Sequence, residues 1–149
     1  MHDRFLRGFV AGVCGGIVMN LGSLAFYLSG LTSLPFWEWA AIMILGKQPA
    51  GTIDLALAVS SHLFFTGILG ILFTYLILLF SPAYLLFKGV VYALAVWFLI
   101  YGITMLYKVQ GTVPVNYSTV LGNITGATLY GLTLSALLLF FERRRARQQ

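Results

Sequence analysis

The sequence predicts an all-α polytopic membrane protein, a bundle of four transmembrane helices built from two repeated helical hairpins, with a short interfacial helix between helices 1 and 2. Three observations carry this. The 149 residues are 60% apolar and only 9% charged, with a mean hydropathy of +0.93, whereas a soluble domain carries about 25% charged residues. Second, the charged residues leave four uninterrupted runs of 30, 33, 19 and 33 residues, bounded by Arg7, Glu38, Asp54, Lys88, Lys108 and Glu142. Each is long enough for a span of about 20 residues. Third, small and polar residues recur at matched positions in two halves of the chain, so one hairpin is read twice.

The first span is expected at 8–30. Arg4 and Arg7 precede it as in a signal peptide, but the apolar stretch outruns an h-region and no small-x-small cleavage site follows, so it is read as a retained helix. Cys14 follows Val13, where a lipobox requires Gly or Ala, and a lone thiol inside a helix is a small packing residue. Gly8, Gly12 and Gly16 form a ridge at spacing four that ends on Asn20. Close backbone approach at such ridges holds helices together in lipid.

The segment 35–46 has Pro35 in its first turn, Gly46 at the C-cap and Pro49 beyond it, which are start and stop signals. It is too short to cross a bilayer. Trp37, Glu38 and Trp39 suit the headgroup belt, either as an interfacial anchor or as a lid over an outward cavity.

The second span is expected at 55–80, with Asp54 at its N-terminal end favouring the helix dipole and Ser81-Pro82 as its breaker. The third is expected at 88–107. Residues Gly111 to Pro114 break the approach to the fourth, at 117–141, which Asn116 caps with Ser118 and Thr119. A basic tail, 142–149, follows as a stop-transfer anchor attracted to anionic lipid rather than to nucleic acid. With both termini inside, Arg4, Arg7, Lys88, Arg143, Arg144, Arg145 and Arg147 face the cytoplasm and only Lys47 and Lys108 lie outside.

The repeat aligns Arg7-Gly8 with Lys88-Gly89 at an offset of 81, and the row His62, Thr66, Gly70, Thr74 with Asn123, Ala127, Gly131, Ser135 at an offset of 61. The difference of 20 residues is about the size of the interfacial segment, an insertion in the first copy. Two spans per unit imply a pseudo-twofold along the membrane normal. In this scheme Gly122, Gly126 and Gly131 join Gly8, Gly12, Gly16 and Gly70 as packing positions.

Asn20, His62, Thr66 and Asn123 are the polar groups to weigh. His62 and Asn123 sit at matching depth, roughly 10–12 Å below the outer ends of their helices. They line a polar path, or they make interhelical hydrogen bonds, His62 to Asn123, Tyr130 or Thr66, and Asn20 to a hydroxyl or amide on a neighbouring helix. No nucleophile, acid and base stand together, His2 lies at the opposite end from His62, and a single cysteine cannot build a metal cage. No catalytic group, metal or cofactor is therefore expected. The expected role is a structural or accessory membrane protein that packs through its glycine faces with itself, as a homodimer, or with a larger complex. The alternative is a small-solute or ion transporter lined by His62, Asn123 and Asn20. The first and third helices opening on a basic residue and glycine, the tryptophan-bearing outer segment and Gly122-Asn123 before an Arg-rich tail resemble small uncharacterised four-span proteins of bacterial inner membranes. The resemblance implies a four-span fold in that membrane and no particular reaction.

Overall fold

The computed structural model describes residues 3–79, 83–113 and 115–146. It is all-helical over those residues, with α1 (Arg4–Leu28), α2 (Phe36–Leu45), α3 (Thr52–Leu76) running into a 3₁₀ turn (Ile77–Leu79), α4 (Leu85–Leu106) and α5 (Tyr117–Ala146). All but α2 are long and apolar enough to cross a membrane. The breakers Ser81-Pro82 and Pro114, together with His2 and Arg147, lie outside the described residues.

Local chemistry sets the helix ends. The Asp3 carboxylate accepts from the Phe5 N–H at 2.8 Å, so α1 starts four residues before the expected span and carries Arg4 and Arg7 within it. Gly46 takes the left-handed conformation at φ 69° that closes α2, as its position after the apolar run predicts. Asp54 does not open α3, which begins at Thr52. Instead its carboxylate reaches back to the Ala50 N–H at 3.1 Å and pairs with Lys47 at 3.3 Å. The Asn116 side chain accepts from the Thr119 N–H at 2.9 Å, the expected cap of α5. That helix runs on through Arg143, Arg144 and Arg145, because charge ends a membrane span without ending a helix; Arg144 lies 4.6 Å over the Phe140 ring.

Helix α1 is central and packs against both α3 and α5, and α5 also packs against α4. Small residues are prominent at the helix contacts and many large ones lie outside: Ala11, Gly12, Gly70, Thr66 and Ser135 are buried beside a core of Phe73, Tyr130 and Leu134, whereas Leu79, Phe98 and Leu106 are more than two-thirds exposed. Large apolar groups gain nothing from burial when the solvent is lipid, and small ones let backbones touch. Gly70 rests on the Gly8 carbonyl and on Gly12 of α1, and Gly131 rests on the Gly89 carbonyl of α4. The hydroxyls one turn further follow the same plan: Thr74 donates to the Gly70 carbonyl at 2.8 Å and Ser135 to the Gly131 carbonyl at 2.6 Å. Gly8 faces Thr74, and Gly89 faces Ser135. The α1–α3 and α4–α5 crossings thus use matched residues.

The glycine faces are therefore taken up inside the bundle, as contacts between its own helices. Gly16 faces Thr66, Gly122 faces Phe26, and Gly126 admits the ring of Phe36.

The α3–α4 side is different. Where a symmetric bundle would repeat the α1–α5 seam, these two helices meet toward the end that carries the termini, through Tyr92, whose hydroxyl donates to the Leu69 carbonyl at 2.8 Å and whose ring lies 5.0 Å from that of Phe73. Toward the other end the cleft is bridged by α2, which packs on α3 and reaches α4 through Trp39 and Tyr101.

Candidate functional site

The bridged cleft holds a cavity of about 290 Å³. Its floor comes from Met19 of α1 and Tyr130 of α5, its roof from Phe36, Trp39 and Ala40 of α2, and its sides from α3 and α4. Its mouth is marked by Met43, Ile44 and Phe65, which line it while remaining 59%, 55% and 41% exposed on the apolar outer face. The passage therefore opens onto the apolar outer face of the bundle.

The roof is fixed at both ends. The Phe36 N–H donates to the Ser23 hydroxyl at 3.4 Å and the Ser33 N–H to the Thr119 hydroxyl at 3.2 Å, which tie the start of α2 to α1 and α5. Phe36 stacks on His62, with centroids 5.7 Å apart and planes 6° from parallel. Farther along, Leu34, Trp39 and Ile42 form a small apolar cluster with Tyr101 and Val109. Trp37 and Trp39 have separate roles: Trp37 packs edge-on against Tyr27 at 6.1 Å near the surface, while Trp39 is buried and faces inward. Glu38, half-buried between them, has its carboxyl pushed above the ordinary carboxylate value by that burial.

Five residues with polar side chains border this apolar space. The indole N–H groups of Trp39 and Trp97, the Tyr101 hydroxyl, the Asn123 amide nitrogen and His62 Nδ1 are all buried without a hydrogen-bond partner, and all five residues line the cavity. Trp39, Tyr101 and Trp97 form a continuous aromatic wall, with successive ring centroids 5.3 and 5.1 Å apart.

His62, Asn123 and Thr66 all line the cavity. The expected bond from His62 to Asn123, Tyr130 or Thr66 is not formed. Tyr130 donates instead to the Thr66 carbonyl at 2.8 Å, and the Thr66 hydroxyl to the Leu63 carbonyl of its own helix at 2.9 Å. Asn20 also departs from expectation: its amide is buried with no partner on a neighbouring helix, and it does not line the cavity. Trp97 and Tyr101 are the site residues that sequence reasoning missed. The signal was a tryptophan in mid-span, far from either headgroup belt, with a tyrosine one turn on. Among the described residues no group of His, Cys, Asp or Glu could hold a metal ion. No family model, curated protein or solved structure matches the chain.

Proposed function

We propose that this protein is a non-enzymatic, accessory-type membrane protein that admits a lipid-soluble molecule from the bilayer into the α3–α4 cleft and holds it beneath α2. The observation that carries this reading is an apolar cavity of about 290 Å³ whose lining residues Met43, Ile44 and Phe65 are exposed on the apolar outer face. Apolar walls of this kind supply the affinity of a ligand site. The channel alternative is less well supported. Tyr92 and Phe73 close the cleft toward the termini, and Asn20 stands apart from the cavity.

The protein sits in a bacterial inner membrane with both termini cytoplasmic, on the strength of the seven-to-two distribution of basic residues and the resemblance described above. The α2 end then faces outward and Arg143, Arg144 and Arg145 lie against anionic lipid. The hairpins are two copies of one unit, a reading supported by the matched crossings at Gly8–Gly70 and Gly89–Gly131. Since the glycine faces are internal, association with a second copy or a larger complex uses other surfaces of the bundle.

Tryptophan quenching in nanodiscs tests the central reading. In a Trp37→Phe background the remaining tryptophans are Trp39 and Trp97. Lipid brominated along its acyl chains should quench them strongly although Trp39 is only 7% exposed, and Ala40→Leu, which narrows the cavity, should relieve much of the quenching. Emission insensitive to bromination would show that the cavity is sealed from the bilayer and would overturn the reading.

A further inference from the structure

We infer that the cavity takes a hydrocarbon chain, about twelve carbons of a lipid's tail, and leaves the lipid's polar head outside. The inference rests on the binding reading above and adds the ligand class.

The first step is what the walls cannot offer an occupant. The Tyr130 hydroxyl is spent on the Thr66 carbonyl at 2.8 Å, and the Thr66 hydroxyl on the Leu63 carbonyl at 2.9 Å. The indole nitrogens of Trp39 and Trp97, the Tyr101 hydroxyl, the Asn123 amide nitrogen and His62 Nδ1 are enclosed by protein, with almost no accessible surface. A molecule in the cavity therefore meets the carbon faces of these residues and not their donors. A carbonyl or hydroxyl carried inside would be left without a partner, a cost that apolar walls do not return. Charge is excluded more strongly, since no Lys, Arg, Asp or Glu lines the cavity.

The second step is size. An apolar cavity of about 150 Å³ takes one benzene, six carbons. On that scale the 290 Å³ found here holds about twelve carbons. That is much of a lipid chain and too little for a chain and its head together.

The third step is the route. Met43, Ile44 and Phe65 make the mouth entirely of apolar side chains on the outer face, and Leu69, Val96 and Ile100 add aliphatic groups to the walls. What stands against such a mouth in a bilayer is hydrocarbon chain. A tail that enters there leaves its head in the membrane, so binding discriminates by chain length and not by headgroup. A straight acyl chain and a branched prenyl chain share this chemistry.

The test is thermal unfolding of the full chain in digitonin, whose rigid steroid body brings no flexible chain of its own. The probes are hexane, dodecane, octadecane, farnesane as the branched chain of prenyl type, and a dodecanone with its carbonyl in mid-chain. A ligand of the native state raises the melting temperature in a concentration-dependent way. At equal mole fraction in the micelle, dodecane, farnesane or both should raise it more than hexane does, and which of the two acts identifies the source. Octadecane should do no better than dodecane, and the dodecanone should bind about tenfold more weakly than dodecane. Ala40→Leu should remove the shift, and Gly102→Ala should keep it. A dodecanone shift equal to that of dodecane, a shift still growing at octadecane, or one undiminished in Ala40→Leu overturns the chain assignment. No shift with any probe also overturns it. If bromolipid quenching is nonetheless present, the binding reading survives these results; if it is absent as well, both fall together.

Discussion

Replacing Gly12 by alanine probes the seam that holds α1 to α3. A Cβ there would run into the Thr66 carbonyl and stand 3.0 Å from the Cα atoms of both Gly67 and Gly70. All three obstacles are backbone, so no side chain can swing away. Carbon atoms prefer about 3.5–4.0 Å, so the helices must part by about 0.5–1 Å, a gap that forfeits about a quarter to a half of each contact along the seam. The expected loss is about 2–3 kcal/mol, in the range of overpacked cores. Gly102 on α4 is the control: nothing lies within 4 Å of a Cβ built there, and alanine should be neutral or gain up to about 1 kcal/mol from helix propensity. Gly122→Ala falls between, since its Cβ meets the Phe26 ring at 3.4 Å. Equilibrium unfolding in mixed micelles measures all three. If Gly12→Ala proves as stable as Gly102→Ala, the glycine ridge is not an internal seam and the packing argument fails.

Other consequences are open to the same kind of measurement. Tyr130→Phe deletes the bond from α5 to the Thr66 carbonyl and should cost about 0.6 kcal/mol, the average for hydrogen bonds between membrane helices; a loss several times larger would mean the hydroxyl has another role. Because burial raises the Glu38 carboxyl, the fold favours its protonated form. Its contribution is full below the ordinary carboxylate range and is lost as pH rises through the raised value. Glu38→Gln should flatten that part of a melting-temperature profile, and an unchanged slope would contradict the assignment. Gln48→Cys, at an exposed position beyond α2 in a Cys14→Ser background, should label from outside the cytoplasmic membrane. Labelling only from the cytoplasm would invert the topology.

The span count was legible because charge is so costly in lipid that four charge-free runs admit little else. Helix ends were less so: Arg4, Arg7 and Arg143 to Arg145 are helical because polarity limits the membrane, not the helix. The limits of spacing are clearest at His62 and Asn123. Rise per residue sets their expected depth, but whether His62 on α3 and Asn123 on α5 touch or flank a cavity depends on how the helices around them splay. The same holds for Trp97 and Tyr101, whose faces become inward only because α2 bridges that splay. The glycine ridges were visible as ridges, while the helix each one meets was not written in their spacing.

Native mass spectrometry of the protein released from its own membranes tests the central claim most directly. The account predicts the polypeptide mass plus that of one solvent-extractable molecule, retained by Gly102→Ala and lost in Ala40→Leu. A bare polypeptide, or an adduct that persists unchanged in Ala40→Leu, would contradict it.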